Sequence, residues 1–385
     1  MQKKSGLGWY LGAAAAVALG LFTSAAAADT VKIGAVLSVT GPASFLGDPE
    51  KKVLDHYVAK LNAAGGVLGK PIELIIYDDG SATDQSATFT KRLIDNDEVD
   101  AIVGGTSSSA SLAMLPIVEE AEVPFISMAG AVTIVDPVRP WTFKVVHTDR
   151  MAAHKLFQEM KDKGITKIAM ISENAGYGKS GQEEAHKAAG DYGIEIVADE
   201  FYGPRDTDVT PQLARIKNTA GVQAVLTWGI GQTAAIVVRN YRQLGFEQPL
   251  YHTHGVVSPF FIDLAGPAAE GLRLTAAPIV VADQLPADHP QRQFLVDFKN
   301  EYESTFKEGV STPAGHAYDA LMLIVEAMQR AGTVDKAAVR DEIEKTNGFI
   351  GIDGIFTFSP EDHLGLSLDS LVVVEIRDGN WTLTN

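Results

Sequence analysis

The sequence predicts an α/β protein made of two doubly wound αβα lobes with parallel-rich sheets. Three observations carry that expectation. Short β-branched runs alternate with longer stretches of helical period along most of the chain. The runs are continuously apolar rather than alternating, as strands of a parallel sheet covered on both faces must be. The alternation also breaks once, at the Pro-containing stretch 136–141, and then starts again. A chain of 385 residues exceeds what one core usually serves, so two lobes are expected.

The chain begins with Lys3 and Lys4, an apolar run over 11–22, and small residues up to Ala28. That pattern reads as a secretory signal peptide, residues 1–28, cleaved after Ala28 at an A-x-A site; the run is shorter than the roughly 20 residues a spanning helix needs. Export to the bacterial periplasm is the expected localisation. Zero cysteines excludes disulfides, thiolate catalysis and Cys-ligated metals, and no cysteine at the cleavage point offers a lipid anchor. The formal net charge is −17, and loss of Lys3 and Lys4 makes the mature chain two units more negative. Such a surface repels phosphate backbones, and no basic cluster with interleaved aromatics occurs, so no nucleic-acid partner is expected.

The first βα series has strands at 31–39, 72–77, 100–103 and 124–127, with helices near 51–63, 84–95 and 109–120. In an open α/β sheet, ligands bind beyond the carboxyl ends of the strands, which directs attention to the loops there. The first, "SVTGPASFLG", offers Phe45 and Leu46 as a pocket wall or as a staple onto the following helix. The third strand delivers "GGTSSSA" into a helix start. Ser107, Ser108 and Ser109 there offer more donors than a cap needs, and with the free N–H groups they suit an anion such as a carboxylate; plain N-capping is the alternative. After the fourth strand, Ala129, Gly130 and Ala131 let the backbone approach a ligand closely, or simply make a turn. Asp78–Asp79 reads as a solvated turn or a cap.

The second series has strands at 167–172, 194–201, 224–228 and 250–252, with helices near 151–163, 180–189, 208–218 and 232–244. Its first loop contains Gly176, Gly178 and Gly181, a G-x-G-x-x-G match to the dinucleotide fingerprint, with Asp199 further on. In a dinucleotide site the first glycine ends the strand tightly. Here Glu173, Asn174 and Ala175 intervene, so the glycines are read as turn and helix-entry residues that leave Tyr177 projecting into the cleft. Trp228 at a strand end is a cleft residue or plain core. His252 and His254 lack a third clustered ligand, so no metal site is expected; one of them facing the cleft as a donor to an acid is preferred.

Past 272–280 the chain turns mostly helical over 291–345 and ends in strands near 354–358, 371–376 and 381–383, which hints that the tail returns to complete earlier lobes. No nucleophile elbow, H-E-x-x-H or P-loop occurs, so an enzyme is not expected and no cofactor is assigned.

The strings "IGAVLSVTGPASFLGDPEKKVLDHYVAKLNAAGGVLGKPIELIIYDDGS", "VGGTSSSA", "PFISMAGA" and "NAGYGKSG", in this order, resemble the periplasmic branched-chain amino-acid-binding proteins, the type I solute receptors of ABC importers. The resemblance covers nearly the whole mature chain. It implies the type I periplasmic binding protein fold: two lobes joined by three crossings, near His147, Thr275 and Phe356, that close on one small molecule and deliver it to a membrane permease. Lobe 1 would be 29–147 plus 276–355, and lobe 2 148–275 plus 356–385. By the same resemblance the serines around Ser108 take the ligand's carboxylate, and the Ala129 backbone touches that end. Tyr177 packs over the ligand from the second lobe, and Leu46, or Phe45 beside it, fills a first-loop position that is usually aromatic.

Two departures stand out. Amino-acid-binding members carry a threonine where this chain has Ala131, and an acid that neutralises the ligand's ammonium where this chain has His254. Burying an ammonium without an anion costs several kcal/mol. The expected ligand is therefore an organic carboxylate lacking an amino group. An aromatic acid is expected first, given Phe45, Leu46, Tyr177 and Trp228, and an aliphatic or keto acid second; an amino acid or an amide is the alternative. A sensor feeding a signalling partner is the alternative to transport, and a monomer is the simplest state.

Overall fold

The computed structural model describes residues 30–384. The predicted signal peptide lies outside the described residues.

The first series runs β1 (Val31–Leu37), α1 (Ser44–Ala63), β2 (Ile72–Asp78), α2 (Thr83–Asp95), β3 (Ala101–Gly104), α3 (Ser108–Glu120), β4 (Phe125–Ser127) and β5 (Thr142–Lys144). These strands form one five-stranded sheet in the order β2-β1-β3-β4-β5, every neighbouring pair parallel. β3 and β4 are buried at every position, which is why their sequences are continuously apolar. The stretch expected to cross between lobes thus first adds a short strand, β5, to this sheet.

The second series runs α4 (Asp149–Asp162), β6 (Lys167–Glu173), α5 (Gly176–Ala189), β7 (Glu195–Tyr202), α6 (Thr210–Lys217), β8 (Ala224–Trp228), α7 (Gly231–Gln243), β9 (Leu250–His252), α8 (Pro259–Ala265) and β10 (Arg273–Ala276). The tail adds α9 (Arg292–Phe306), α10 (Thr312–Ala331), α11 (Lys336–Glu344), β11 (Asn347–Ile350), β12 (Ile355–Thr357), β13 (Val372–Arg377) and β14 (Asn380–Leu383). The second sheet has seven strands in the order β14-β13-β10-β9-β8-β6-β7. It is parallel except where β13 meets β10 and β14 meets β13.

The tail therefore serves both lobes. α10 packs against α1 and β3 of the first lobe, whereas β13 and β14 extend the second sheet. Phe356 sits in β12, which pairs with β11, a strand the sequence did not announce; the chain enters the second sheet only at Val372. The tandem acids Asp78 and Asp79 stand at the end of β2. Asp79, 2% exposed, accepts hydrogen bonds from Ser38 Oγ (2.7 Å), Ser86 Oγ (2.8 Å) and the Ser81 N–H (2.8 Å), so it is a buried cap that ties the β1 and β2 loops together.

Candidate functional site

The carboxyl ends of β1, β3 and β4 point their loops at the second lobe, and a cavity of about 40 Å³ lies between the two. Leu46, Ser107, Ser108, Ala129, Gly130, Tyr177 and His254 line it, together with Glu50, Thr106, His316 and others that the sequence did not single out. A second interlobe cavity of about 180 Å³ shares the Ser107–Ser108 and Tyr177–Ile230 walls and extends past Ser109, Glu173 and Arg205.

Phe45 and Leu46 part company in the first turn of α1. Successive helical residues point about 100° apart, so the two side chains leave α1 in different directions. Leu46 faces it; Phe45 turns to the other side and stacks on Phe260 of α8, ring centroids 6.2 Å apart at 17°. Phe45 is thus an interlobe contact rather than a wall of this cavity. Glu50 lies one helical turn after Leu46, on the same face, and that i, i+4 spacing is the signal that could have found it.

Glu50 is 1% exposed, and its Oε2 accepts a 2.5 Å hydrogen bond from Thr106 Oγ1. Burial pushes its carboxyl well above the usual range, against the Thr106 hydroxyl, which favours the charged form. The three serines after Thr106 do three different things. Ser107 Oγ caps α3 by accepting from the Ala110 N–H (3.2 Å). Ser108 Oγ accepts from the Ala131 N–H (3.0 Å), tying the β3 and β4 loops together. Ser109 Oγ accepts from the Gly176 N–H of the other lobe (3.0 Å), so it is a closure contact that borders the outer cavity instead. Ala131 is fully buried behind the lining; its N–H makes that bond and its carbonyl accepts from the Ile134 N–H (3.3 Å).

Gly130 marks where the lobes meet. A Cβ there would come within 2.5 Å of Tyr177 Cε2 and 3.3 Å of His254 Nε2. Its carbonyl accepts from Lys144 Nζ (2.8 Å) and from the Asp149 N–H (3.0 Å), which anchors the loop. Lys144 and Asp149 are both fully buried, and burial pushes both toward their neutral forms while each opposes the shift of the other.

From the second lobe, the Tyr177 hydroxyl donates to Thr253 Oγ1 (3.0 Å) and lies 3.4 Å from His254 Nε2. Trp228 packs behind it, ring centroids 6.0 Å apart, with no exposed surface. It is core, not lining, because β8 is buried at every position. His252 turns away, its Nδ1 accepting from the Thr253 N–H. His254 is 7% exposed and its Nδ1 has no hydrogen-bond partner. The tail contributes His316 from α10, whose Nδ1 pairs with Asp353 Oδ2 at 2.6 Å. Burial, reinforced by Lys144, lowers the His316 imidazole to about 3; His254 is lowered likewise by burial and then by the neighbouring His147, Lys144 and His316. The cavity is therefore lined by an acid and imidazoles that burial drives toward their neutral forms. Among the described residues no group of three such side chains has metal-holding geometry.

The glycine fingerprint has a steric cause. Added Cβ atoms would come 2.9 Å from Ser109 N and Oγ at Gly176, 2.0 Å from the Glu173 carbonyl at Gly178, and 2.0 Å from the Trp228 ring at Gly181. The three glycines thus let α5 approach the other lobe, its own strand and the core. Asp199 is occupied by Gln182 and His186.

Comparisons with known proteins agree with this architecture. The family described as "Periplasmic binding protein" matches residues 30–380. The leucine-, isoleucine-, valine-, threonine- and alanine-binding protein of Pseudomonas aeruginosa is 28% identical over 354 residues, 88% of this chain and 90% of that protein. The crystal structure of an extracellular ligand-binding receptor from Rhodopseudomonas palustris HaA2 superposes with a TM-score of 0.85 at 28% identity, covering 92% of this chain and 99% of its own. The isoleucine complex of LivJ from Streptococcus pneumoniae superposes with a TM-score of 0.80 over 91% and 97% of the two chains; at 24% identity it speaks for the fold alone. These relatives are binding proteins and not enzymes, and the fold is the type I periplasmic binding protein fold. Two parallel-rich lobes closed over a cavity at their strand ends, with a family match along nearly the whole described chain, place this chain in the periplasmic binding protein family of solute receptors.

Proposed function

We propose that the protein captures a small organic carboxylate in the interlobe cleft and delivers it to the permease of an ABC importer in the periplasm. The observation that carries this reading is the cavity itself: it sits against the α3 N-terminus with Ser107 and Ser108 on one side and Tyr177 and His254 on the other. A helix N-terminus favours an anion, and the hydroxyls of Ser107 and Ser108, which accept from the backbone, keep their own protons to donate. The lobe division expected from the sequence, 29–147 plus 276–355 against 148–275 plus 356–385, belongs to this proposal. So do the cleaved signal peptide and a monomer as the working form.

The ligand's body is short and aliphatic in this reading, a branched or keto acid ahead of an aromatic one. The apolar lining comes from Leu46, Met128, Val146 and Ile230, with Tyr177 as its one aromatic carbon ring, since Phe45 and Trp228 lie elsewhere. About 40 Å³ accommodates only a few atoms beyond a carboxylate, where one water needs about 10–15 Å³ by the same kind of measure. Glu50 favours a second reading, an α-amino acid: its buried carboxyl supplies an anion that an ammonium could pair with, and curated relatives are named for amino acids. The test is a thermal-shift screen of the mature protein against 3-methylbutanoate, 3-methyl-2-oxobutanoate, benzoate, leucine and valine. Stabilisation by the first two supports the acid reading. Stabilisation by leucine or valine alone refutes it in favour of the second.

A further inference from the structure

The cavity poses a charge problem that the serines alone do not solve. A bound carboxylate brings one negative charge into a space lined by Glu50, His254 and His316, with Asp319 and Asp353 behind them. No Arg side chain lines this cavity, and the buried Lys144 is turned to the Gly130 carbonyl. A group that gains a proton when the ligand arrives would add its charge to what the α3 N-terminus and the two serine hydroxyls supply.

His316 is built for this. It stands in the second turn of α10, is 7% exposed, and lines the cavity. Its Nδ1 lies 2.6 Å from Asp353 Oδ2, so the ring is oriented with Nε2 free of protein partners. Asp353 is itself held, its N–H donating to Asp319 Oδ2 (2.8 Å) while the Ile352 N–H donates to Asp319 Oδ1 (2.7 Å). A ligand carboxylate at Nε2 favours the imidazolium, because Nε2–H then donates to an anion, while Nδ1 keeps its contact with Asp353, whose carboxyl burial pushes well above the usual range. Without the ligand one side of that arrangement is missing. We propose that His316, oriented by Asp353, is a specificity-determining residue that donates Nε2–H to the ligand's carboxylate and takes up one proton from solution when the ligand binds.

The other groups that face this position are accounted for. Glu50 from α1 is tied to Thr106, and Lys144 from β5 to Gly130. His147 contacts Ser370 Oγ (3.0 Å), and Tyr177 from α5 is tied to Thr253. His254 has no carboxylate on its second nitrogen, unlike His316. Burial, with Lys144 beside it, drives His316 toward its neutral form, and burial drives Asp353 and Asp319 the same way. Proton uptake on binding makes affinity rise as pH falls, by about tenfold per pH unit wherever the free ring is neutral and the bound ring charged.

The inference rests on the carboxylate reading, and the experiment separates the two. Calorimetry of the mature protein with 3-methylbutanoate, 3-methyl-2-oxobutanoate and benzoate, and with the neutral 3-methylbutanamide, is run in buffers of different ionisation enthalpy from about pH 6 to about pH 7.5. The expected result is close to one proton taken up per acid bound, none per amide, and a Kd that rises about tenfold per pH unit for the acid alone. His316→Gln should remove the proton uptake and the pH slope, whereas His254→Gln should retain both. Binding of an acid without proton uptake overturns the inference and leaves the proposed function standing. Binding of none of the acids overturns the function reading, and the inference falls with it. The wild-type proton count decides the matter even if His316→Gln fails to fold.

Discussion

Gly176→Ala tests whether the closed cleft is what binds. Gly176 opens α5 and carries the N–H that reaches across the cleft to Ser109 Oγ at 3.0 Å. A Cβ there would sit 2.9 Å from both Ser109 N and Ser109 Oγ, about half an ångström inside ordinary contact at 3.4 Å. The lobes can relieve this only by parting, which costs about 1–3 kcal/mol of overpacking in the closed state. The open state loses nothing, because the backbone there is not left-handed and alanine suits a helix start better than glycine. Affinity for whichever acid of the panel binds should therefore fall about 5- to 150-fold, since each 1.4 kcal/mol is a factor of ten. The melting temperature without ligand should hold or rise slightly. Calorimetry and a melting curve read both quantities. An unchanged Kd would mean that binding does not need the Ser109–Gly176 approach, and the closure argument would fail.

Three further outcomes follow from the same geometry. Phe45→Ala and Phe260→Ala should each weaken binding without changing the rank order of ligands, and the double-mutant cycle should show a coupling of about 0.5–1.5 kcal/mol for the stacked rings; additive effects would place the rings outside the closure step. Glu50→Gln should leave acid affinity within about threefold but reduce any leucine or valine binding more than tenfold, on the scale of a lost buried charge pair; equal effects on both would show that Glu50 does not discriminate. Glu173, 3% exposed, has its carboxyl raised to about 7 by burial, against one backbone bond from Ile230. A raised acid favours folding fully below its unfolded value and loses that contribution as pH climbs through about 7. Glu173→Gln should therefore raise stability at about pH 8, by at most about 3 kcal/mol, and change little at about pH 5; equal melting shifts at both would refute it.

The strands were legible because a doubly covered parallel sheet leaves a simple mark. β1, β3, β6 and β8 read as apolar runs and fold as such. β5 and β11 are three and four residues long and carry no run to read. The cleft was half legible for a related reason. Loops at strand ends are short and local, so Leu46, Ser107, Ser108, Ala129, Gly130 and Tyr177 could be named from their positions, and the structure gathers them round one cavity. Phe45, Ser109, Ala131 and Trp228 stand beside those residues, and only the phase of a helix or the facing lobe decides which way each points. Glu50 and His316 were missed because they belong to helices: one is an i+4 partner of Leu46, the other comes from a segment just over two hundred residues beyond the serines with which it lines the cavity. A long-range juxtaposition of that kind leaves no local signal.

Closure, charge and protonation form a single equilibrium in this cleft. Glu50, His254 and His316 are driven toward neutrality chiefly by burial, and burial of this cavity depends on the second lobe lying over the first. Part the lobes and water returns, so desolvation falls and the imidazoles regain ordinary proton affinity. An anionic ligand and a proton then arrive as a neutral pair, and closing over a neutral pair costs far less than closing over a lone carboxylate. Discrimination between an acid and a neutral molecule of the same shape then comes from what fills the cavity. His316 has Asp353 fixed on one nitrogen and open space on the other, which makes it the group whose state differs most between empty and filled cleft. A neutral amide of the same shape would fill the space but leave that imidazole uncharged, and the difference between the two affinities is the selectivity that His316 supplies.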